Sequence, residues 1–390
     1  MTSRTQLVAS LEGLVPGASE LDTDELRERH AYAAWSCLTE PGDAVAGAAI
    51  QALGAAGALD AARSGSAAPA DETWVAGVRR WAPRWSGISD AFDRARTCGA
   101  RLLTPADPEW PRHLDDLGVH APRCLWVQGS PAALATGAAV ALVGARAATG
   151  YGEHVAGELA AGVGGAGITV VSGGAYGIDG MAHRAALAGG GVTVAFVAGG
   201  VDRPYPAGHA SLLARISEAG GAVAAEVPCG TSPTKWRFLQ RNRLIAALSD
   251  ATVVVEAGWR SGSLNTAGHA AALGRPLGAV PGPVTSAASA GCHRLLREYD
   301  ARCVTTPDEV LELLGHEGAD AEHPSDRTDD RTRLLDALSA RSGRMTSDVA
   351  RRAGFSEDEA QTLLGFAELD GLARRQGDRW LRGAETDRHA

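Results

Sequence analysis

The sequence lacks the closely spaced cysteines that hold metals. Its six cysteines include no CxxC and no Cys/His spacing of the zinc-binding kind, so we expect reduced, mostly buried thiols and no metal site. No charged-then-apolar leader opens the chain, and we find no run of about 18 apolar residues. These absences predict a soluble, cytoplasmic protein without a membrane span.

The chain also lacks an excess of positive charge. Its formal net charge is -9 and its isoelectric point is about 5.7, which argues against a protein that coats nucleic acid through bulk charge. A local cationic patch remains compatible with this balance, because salt screens charges beyond about 10 Å. At 390 residues, the chain is long enough for two or three domains with a well-buried core.

Residues 101–315 are predicted to form one domain, in which apolar runs, glycine turns and helical segments alternate from Ala138 to about Leu314. The apolar runs do not alternate with polar residues, which is typical of strands buried on both faces of a parallel sheet. This pattern predicts an α/β fold with a doubly wound parallel sheet, whose ligands bind outside the carboxyl ends of the strands. The predicted strands are Ala139–Val143, Ile168–Val171, Val192–Val197, Ala222–Ala225, Ala251–Val255 and Leu277–Val280.

Helical segments flank this region on both sides. Residues 1–100 are predicted to be a helical N-terminal domain, with a short linker near residues 64–70 and tryptophans that pack its core. Residues 316–330 are a polar, acidic linker, and residues 331–383 carry three helices and a hairpin, as in a winged helix. The helix that would enter a DNA groove is acidic, so we favour a protein contact or a weak backbone contact over base reading.

One stretch concentrates positive charge in this acidic chain. Residues 231–249 contain Lys235, Arg237, Arg241 and Arg243 and no carboxylate. After the next apolar run, Ser261-Gly262-Ser263 precedes a helix, and free backbone N–H groups with hydroxyls at a helix start hold anions. Cations and amides at neighbouring strand ends suit a ligand that carries several phosphates.

Two glycine turns add candidate phosphate contacts. The first, Gly144-Ala-Arg146, lacks the middle glycine of a dinucleotide fingerprint, so Arg146 is predicted either to contact a phosphate or to be a surface arginine. In the second, Ser172-Gly173-Gly174, successive N–H groups and a hydroxyl are expected to hold a phosphate oxygen.

Four further side chains have both structural and functional interpretations. For Asp179 we favour capping a helix start over acting as a general base, and for His183 we favour packing. Asn242 is predicted to brace its loop. Trp236, which lies between two cations, either stacks on a base or packs on the domain edge.

Together these motifs closely resemble the DNA-processing protein A family (DprA, also called Smf). The resemblance covers about residues 107–314, and it rests on motif order and spacing. Its motifs are Gly144-Ala-Arg146, Ser172-Gly-Gly-Ala-Tyr-Gly-Ile-Asp179, Arg241-Asn-Arg-Leu-Ile-Ala-Ala-Leu-Ser249, Ser261-Gly-Ser-Leu-Asn-Thr-Ala267, Ala279-Val-Pro-Gly282 and Gly291-Cys-His.

The resemblance implies a non-catalytic, cofactor-free protein with an extended Rossmann domain that binds single-stranded DNA. It further implies a homodimer that protects incoming DNA and loads RecA recombinase onto it, in competition with single-strand-binding protein, during natural transformation. The DNA-holding positions would be Arg146, Ser172, Gly173, Lys235, Arg237, Arg241, Arg243, Ser261, Gly262 and Ser263, with Trp236 and Tyr176 as possible stacking surfaces.

The chain departs from the family pattern at three motif positions. Tyr176 stands where a basic residue is usual, Ala145 replaces a serine, and His293 replaces an asparagine. An alternative function is that of a nucleotide phosphoribohydrolase of the LOG type, which also uses a Rossmann domain. Its Pro-Gly-Gly-x-Gly-Thr turn and following catalytic glutamate are absent from the sequence. A dehydrogenase is weaker still, because neither GxGxxG nor a ribose-binding acid is present.

Overall fold

The computed structural model describes residues 3–65, 72–135, 137–316 and 330–383. The chain divides into two units, Met1–Ala319 and Asp320–Ala390. The linkers predicted at residues 64–70 and 316–330 lie largely outside the described residues. The boundary between residues 100 and 101 stays a prediction.

The first unit is built on one mixed sheet. Its strands are β1 (Arg101–Leu103), β2 (Leu125–Gly129), β3 (Ala139–Gly144), β4 (Thr169–Ser172), β5 (Thr193–Phe196), β6 (Ala222–Ala225), β7 (Ala251–Glu256), β8 (Leu277–Ala279) and β9 (Arg302–Cys303). They are hydrogen bonded in the order β1-β2-β6-β5-β4-β3-β7-β8-β9. Every neighbouring pair from β6 to β9 is parallel, and β2 and β1 extend that sheet antiparallel.

The predicted α/β class with a mostly parallel sheet is thus confirmed, and each predicted strand is present with its ends shifted by no more than one residue. The direction of winding reverses between β3 and β7, because β4, β5 and β6 follow on one side of β3 and β7, β8 and β9 on the other. The crevice at the carboxyl ends of β3 and β7 is therefore the topological switch point, where doubly wound sheets bind ligands.

Helices cover both faces of the sheet. In the first unit they are α1 (Arg4–Leu11), α2 (Thr23–Leu38), α3 (Ala44–Ser64), α4 (Glu72–Trp81), α5 (Ile88–Thr97), α6 (Gly150–Gly165), α7 (Ile178–Ala188), α8 (Ala210–Glu218), α9 (Lys235–Leu248), α10 (Ser263–Ala272), α11 (Ala290–Glu298) and α12 (Pro307–Leu313). Short 3-10 helices occupy Ala82–Gly87, Arg112–His120, Pro131–Leu134, Ala207–His209 and Ala287–Ser289.

Strand β3 shows why the apolar runs are unbroken. Val140 and Leu142 pack on the side of α6, α7 and α12, whereas Ala141 and Val143 pack on the side of α9, α10 and α11. Since successive side chains of a strand point to opposite faces, a strand covered on both sides must be apolar at every position.

The N-terminal helices pack on the antiparallel edge of the same sheet. Leu7, Leu26 and Phe92 of α1, α2 and α5 share a buried cluster with Trp126 of β2 and Val223 of β6. A second cluster is aromatic: Trp81 packs edge-on against Trp35 and Trp74, with ring centroids 5.0 Å and 5.5 Å apart. The packing role predicted for Trp74, Trp81 and Trp85 is confirmed, since Trp74 and Trp81 are buried in this cluster and Trp85 packs against it partly buried.

Helix α3 is long and apolar enough by length and composition to cross a membrane, although Gln51 and Asp60 interrupt its apolar sequence. Its backbone is interrupted at Gly54, where φ is 73° and ψ is 164°. Buried alanines on both sides of this break, Ala46 and Ala58 among them, belong to the tryptophan cluster. This side of α3 therefore packs in the core of the first unit.

The second unit holds three helices and a hairpin in its described part. They are α13 (Asp330–Asp336), α14 (Thr346–Ala353), α15 (Glu357–Leu369), β10 (Ala373–Gln376) and β11 (Arg379–Arg382), the last two paired antiparallel. A capping box begins α15, since Ser356 and Glu359 satisfy each other's backbone N–H groups. The winged-helix interpretation of this unit stays a prediction.

The start of α6 shows how tightly the strand ends pack. Glu256, at the end of β7, accepts hydrogen bonds from the Thr149 amide at 2.8 Å and from the Thr149 hydroxyl at 2.7 Å. A β-carbon on Gly152 would lie 2.6 Å from a Glu256 carboxylate oxygen. The carboxylate therefore needs glycine at this position to reach the helix start.

We expect Gly152→Ala to lower the free energy of unfolding by about 1–3 kcal/mol, because the added methyl overpacks a buried contact. The matched control is Gly150→Ala in the same helical turn, where an added β-carbon meets no atom within 4 Å of it. That control should stay within about 0.5 kcal/mol of wild type. Urea denaturation measures both, and equal stabilities of the two variants would contradict the packing account.

Candidate functional site

A cavity of about 830 Å³ opens at the switch point of the sheet. Its walls come from the turn after β3, the turn after β4, the loop after β7 and one side of α9. The position agrees with the rule that doubly wound sheets bind ligands at the carboxyl ends of their central strands. Segments far apart in sequence meet here because parallel strands end at one edge.

The cavity is cationic although the chain is acidic. Its charged lining residues are Arg146, Lys235, Arg241, Arg260 and Asp179. Among the described residues, no carboxylate lies within ion-pair distance of Arg146, Lys235 or Arg260. Positive groups with low-dielectric walls concentrate an attractive potential for anions.

Helix α9 carries cations along the cavity wall. It begins at Lys235, and the Thr234 hydroxyl caps it by accepting from the Arg237 amide at 3.3 Å. A cation in the first turn of a helix opposes the helix dipole, so Lys235 does not stabilise the helix it starts. The exposed ammonium group is available to a bound anion.

Arg241 is buried behind this exposed rim. Its Nη1 donates to the Phe196 carbonyl at 2.7 Å, and its side chain lies against the backbone of Gly173. Burial lowers the pKa of Arg241 to about 10, with the nearby Asp179 carboxylate opposing the shift, so the guanidinium stays charged at neutral pH. A β-carbon on Gly173 would lie 1.9 Å from Arg241 Nη1, so glycine at this position leaves the space that the guanidinium occupies.

Asp179 and His183 have structural partners. The Asp179 carboxylate accepts from the Ala175 amide at 3.4 Å, so it stabilises the glycine turn before α7; burial raises its pKa, and Arg241 opposes this. His183 is fully buried, its Nδ1 lies 2.7 Å from the Thr193 hydroxyl, and burial lowers its pKa to about 3. The predicted packing role of His183 is confirmed.

An aromatic ring that the sequence analysis missed lies between two guanidinium groups. Phe238 lines the cavity, with Arg146 Cζ 4.6 Å and Arg241 Cζ 6.0 Å from its ring centroid. Tyr205 packs beside it, with ring centroids 5.4 Å apart. The sequence spacing could have indicated Phe238, because Lys235, Phe238 and Arg241 lie three residues apart and so share one side of a helix.

The start of α10 forms the opposite wall. The helix begins at Ser263, and the hydroxyls of Ser261 and Ser263 lie 2.8 Å apart at its N-terminus. The predicted bracing role of Asn242 is confirmed: its Nδ2 donates to the Gly262 carbonyl at 3.3 Å and to Asn265 Oδ1 at 3.2 Å. The bracing ties α9 to α10 across the cavity.

The structure places Ser172, Arg237 and Arg243 outside the cavity lining. The buried Ser172 hydroxyl donates to the Leu142 carbonyl at 2.6 Å and so ties β4 to β3. Arg237 binds both carboxylate oxygens of Glu40, at 2.9 Å and 3.0 Å. Sequence reasoning had no signal for this partner, which lies far away in the chain.

Arg243 forms a buried ion pair. Its two terminal nitrogens lie 2.8 Å and 2.7 Å from the Glu226 carboxylate oxygens, and both side chains are almost fully buried. The guanidinium also donates to the His120 carbonyl at 2.8 Å. The N–H groups of Arg243 are therefore already hydrogen bonded to protein atoms, so they hold the fold together.

The proposed stacking residues lie at the surface. Trp236 and Tyr176 are about half exposed, and neither lines the cavity. Tyr176 packs edge-on against His209, with ring centroids 4.8 Å apart. Of the departures from the family pattern, Ala145 lines the cavity, and His293 keeps a structural contact because its Nε2 lies 2.9 Å from the Gly282 carbonyl.

We expect Arg243→Met to lower the free energy of unfolding by about 3–5 kcal/mol, because it leaves the Glu226 carboxylate buried without its cation. The double variant Arg243→Met/Glu226→Leu should recover most of the loss, since it removes both charges together. Chemical denaturation measures the series. A single variant as stable as wild type would contradict the structural role of Arg243.

The fold and the cavity together define a doubly wound α/β protein with a cationic cavity at its switch point. The sequence profile of the family "DNA recombination-mediator protein A" matches residues 101–315. The chain belongs to this family, which confirms the resemblance drawn from its motifs.

Relatives agree with this assignment. A protein of Mycobacterium tuberculosis described as a DNA processing protein DprA is 44% identical over 369 residues, covering 90% of this chain and 93% of the relative. The structure of DNA processing protein A from Streptococcus pneumoniae matches with a TM-score of 0.61 and 30% identity over 73% of this chain and 97% of that one. A Helicobacter pylori structure, described for its single-stranded DNA binding mode, matches with a TM-score of 0.50 and 29% identity over 55% of this chain and 95% of that one.

Proposed function

We propose that this protein binds single-stranded DNA in the cavity and performs no reaction on it. The observation that carries the proposal is the convergence of Arg146, Lys235 and Arg241 with the N-terminus of α10 in one cavity of about 830 Å³. Guanidinium groups and free helix amides both bind phosphate. Their common location favours a ligand with several phosphates.

The ring of Phe238 favours an unpaired strand. A ring within reach of Arg146 and Arg241 offers a base a stacking surface beside the groups that hold its phosphate. The bases of a duplex are already stacked and paired, so they could use this ring only after being flipped out. A single strand exposes backbone and base faces together.

A non-catalytic role is supported by the structural partners of the nearby carboxylates. Glu226 forms an ion pair with Arg243, Glu256 accepts hydrogen bonds from Thr149 at the start of α6, and Asp179 accepts a hydrogen bond from the Ala175 amide of the glycine turn. A general base must reach the substrate proton it abstracts. Because these carboxylates already have partners inside the protein, the alternative of a LOG-type phosphoribohydrolase, which needs a free catalytic glutamate, is weakened.

The family supplies the rest of the proposal. By analogy with it, and with the Helicobacter pylori relative that binds single-stranded DNA, the protein would act in the cytoplasm as a homodimer. It would protect incoming DNA in natural transformation and load RecA recombinase onto the strand, in competition with single-strand-binding protein. The helical segment 1–100 and a winged helix at 331–383 would flank the DNA-binding domain 101–315, with the winged helix contacting protein.

We expect Lys235→Glu and Arg146→Glu each to weaken binding of oligo-dT by about one to two orders of magnitude, because each removes a charge-assisted phosphate contact. The log-log dependence of affinity on salt should become shallower by about 0.7 for each phosphate that the variant no longer neutralises. Fluorescence anisotropy over a salt series measures both quantities. The control is Arg215→Glu, a charge reversal at an exposed arginine outside the cavity lining, which should change neither.

Amine footprinting tests the location without a mutation. Lys235 is the single lysine of the chain, so an acetylating reagent reports on this one side-chain amine, with the terminal amine as internal reference. Saturating oligo-dT should slow acetylation of Lys235 several-fold and leave the terminal amine unaffected. Equal rates with and without bound oligo-dT would place the strand elsewhere.

A further inference from the structure

The loop after β7 carries an exposed tryptophan at the rim of the cavity. Gly258, Arg260 and Ser261 line the cavity, whereas Trp259 between them lies outside the lining and keeps 58% of its surface exposed. Alternation along the loop thus sends Arg260 inward and the indole outward. The backbone segment 258–261 thus carries both part of the cavity lining and the exposed indole.

Trp259 is part of a row of aromatic and cationic side chains. Arg294 of α11 places its Cζ 5.3 Å from the Trp259 ring centroid and 5.6 Å from that of Tyr299. Arg294 Nε donates a 2.8 Å hydrogen bond to a Glu298 carboxylate oxygen, which fixes the guanidinium. We call Trp259, Arg294 and Tyr299 the rim row; Tyr299 is 40% exposed, so two of its members present aromatic surface to solvent.

The backbone beneath the rim row is fixed. The Gly291 amide, at the start of α11, donates to the Ala257 carbonyl at 2.7 Å, and the Ser261 amide donates to the Gly258 carbonyl at 3.0 Å. A β-carbon on Gly291 would lie within 2.8 Å of both the Ala257 and the Gly258 carbonyl oxygens. The glycine allows α11 to approach closely, so the backbone that carries Trp259 is held in place before any ligand arrives.

We propose that the rim row is a second contact surface for single-stranded DNA, on which bases stack where the strand leaves the cavity. This inference rests on the proposed function. A cavity of about 830 Å³ falls in the range that suits a small ligand, so a longer strand must cross its rim. Arg260, on the cavity side of that crossing, has no carboxylate within ion-pair distance among the described residues, so its charge complements a phosphate backbone. Arg294, on the outer side, is paired with Glu298 and contributes its guanidinium face beside the two rings.

The rim row also suits a strand of any sequence. Stacking on an aromatic face tolerates every base, because every base has a π-face, and arginine adds a cation–π contribution. Trp259 lies on a loop held by α11, so stacking costs little ordering of the protein. We expect one base, or two adjacent bases, to use the rim row.

The test compares short and long oligonucleotides. Affinities of wild type, Trp259→Ala and Trp259→Phe are measured by fluorescence anisotropy for oligo-dT of about six and about twenty nucleotides. Trp259→Ala should bind the short oligonucleotide as wild type does and bind the long one about tenfold more weakly. Trp259→Phe, which keeps a ring, should restore most of that affinity, and thermal melting checks that both variants are folded.

Lys235→Glu serves as the reference variant, because it should weaken binding at both lengths. If Trp259→Ala matched wild type at both lengths while Lys235→Glu did not, the rim row would be rejected and the cavity site would stand. If wild type bound neither oligonucleotide, the proposed function itself would fail. If Trp259→Ala changed a dimer into a monomer without altering affinity per site, the row would be a contact between copies, and the proposal would be wrong.

Discussion

The site depends on holding a charged guanidinium inside the protein at the switch point of the sheet. Removing such a group from water costs several kcal/mol unless partners compensate. Arg241 is compensated by the Phe196 carbonyl and by the field of Asp179, and it fits only because residue 173 is glycine. The glycine turn, its carboxylate and the end of β5 are thus arranged around one buried cation.

This arrangement explains how an acidic protein presents a cationic cavity. The basic stretch contributes cations of two kinds, which sequence alone does not distinguish. Arg237 and Arg243 are neutralised by Glu40 and Glu226, so they brace the structure. Lys235, together with Arg146 from the first turn, keeps its charge facing the cavity. Local pairing, rather than total composition, decides where an anion is attracted.

The sequence predicted the sheet and the edge at which the cavity lies for a simple physical reason. Strands buried on both faces are apolar at every position, and parallel strands end at a common edge, so the turns after β3 and β7 had to meet. The sequence did not predict which arginines are paired. Arg237 and Arg243 meet their partners Glu40 and Glu226 through tertiary contacts, which the sequence does not show. Likewise, α3 has the composition of a membrane segment, and its break at Gly54 and its packing against Trp35 appear only in the fold.

Rigidity links these features to binding. The walls of the cavity are tied to each other before a ligand enters: Asn242 joins α9 to α10, and Glu256 joins β7 to the start of α6. A site already ordered in this way loses little conformational entropy on binding, so the Coulomb attraction to phosphate is retained as affinity. The phosphate contacts proposed above are ionic and read no base edges, so affinity for a strand should depend strongly on salt and weakly on sequence. That combination is what the proposed function requires, because it would let the protein bind a strand of arbitrary sequence.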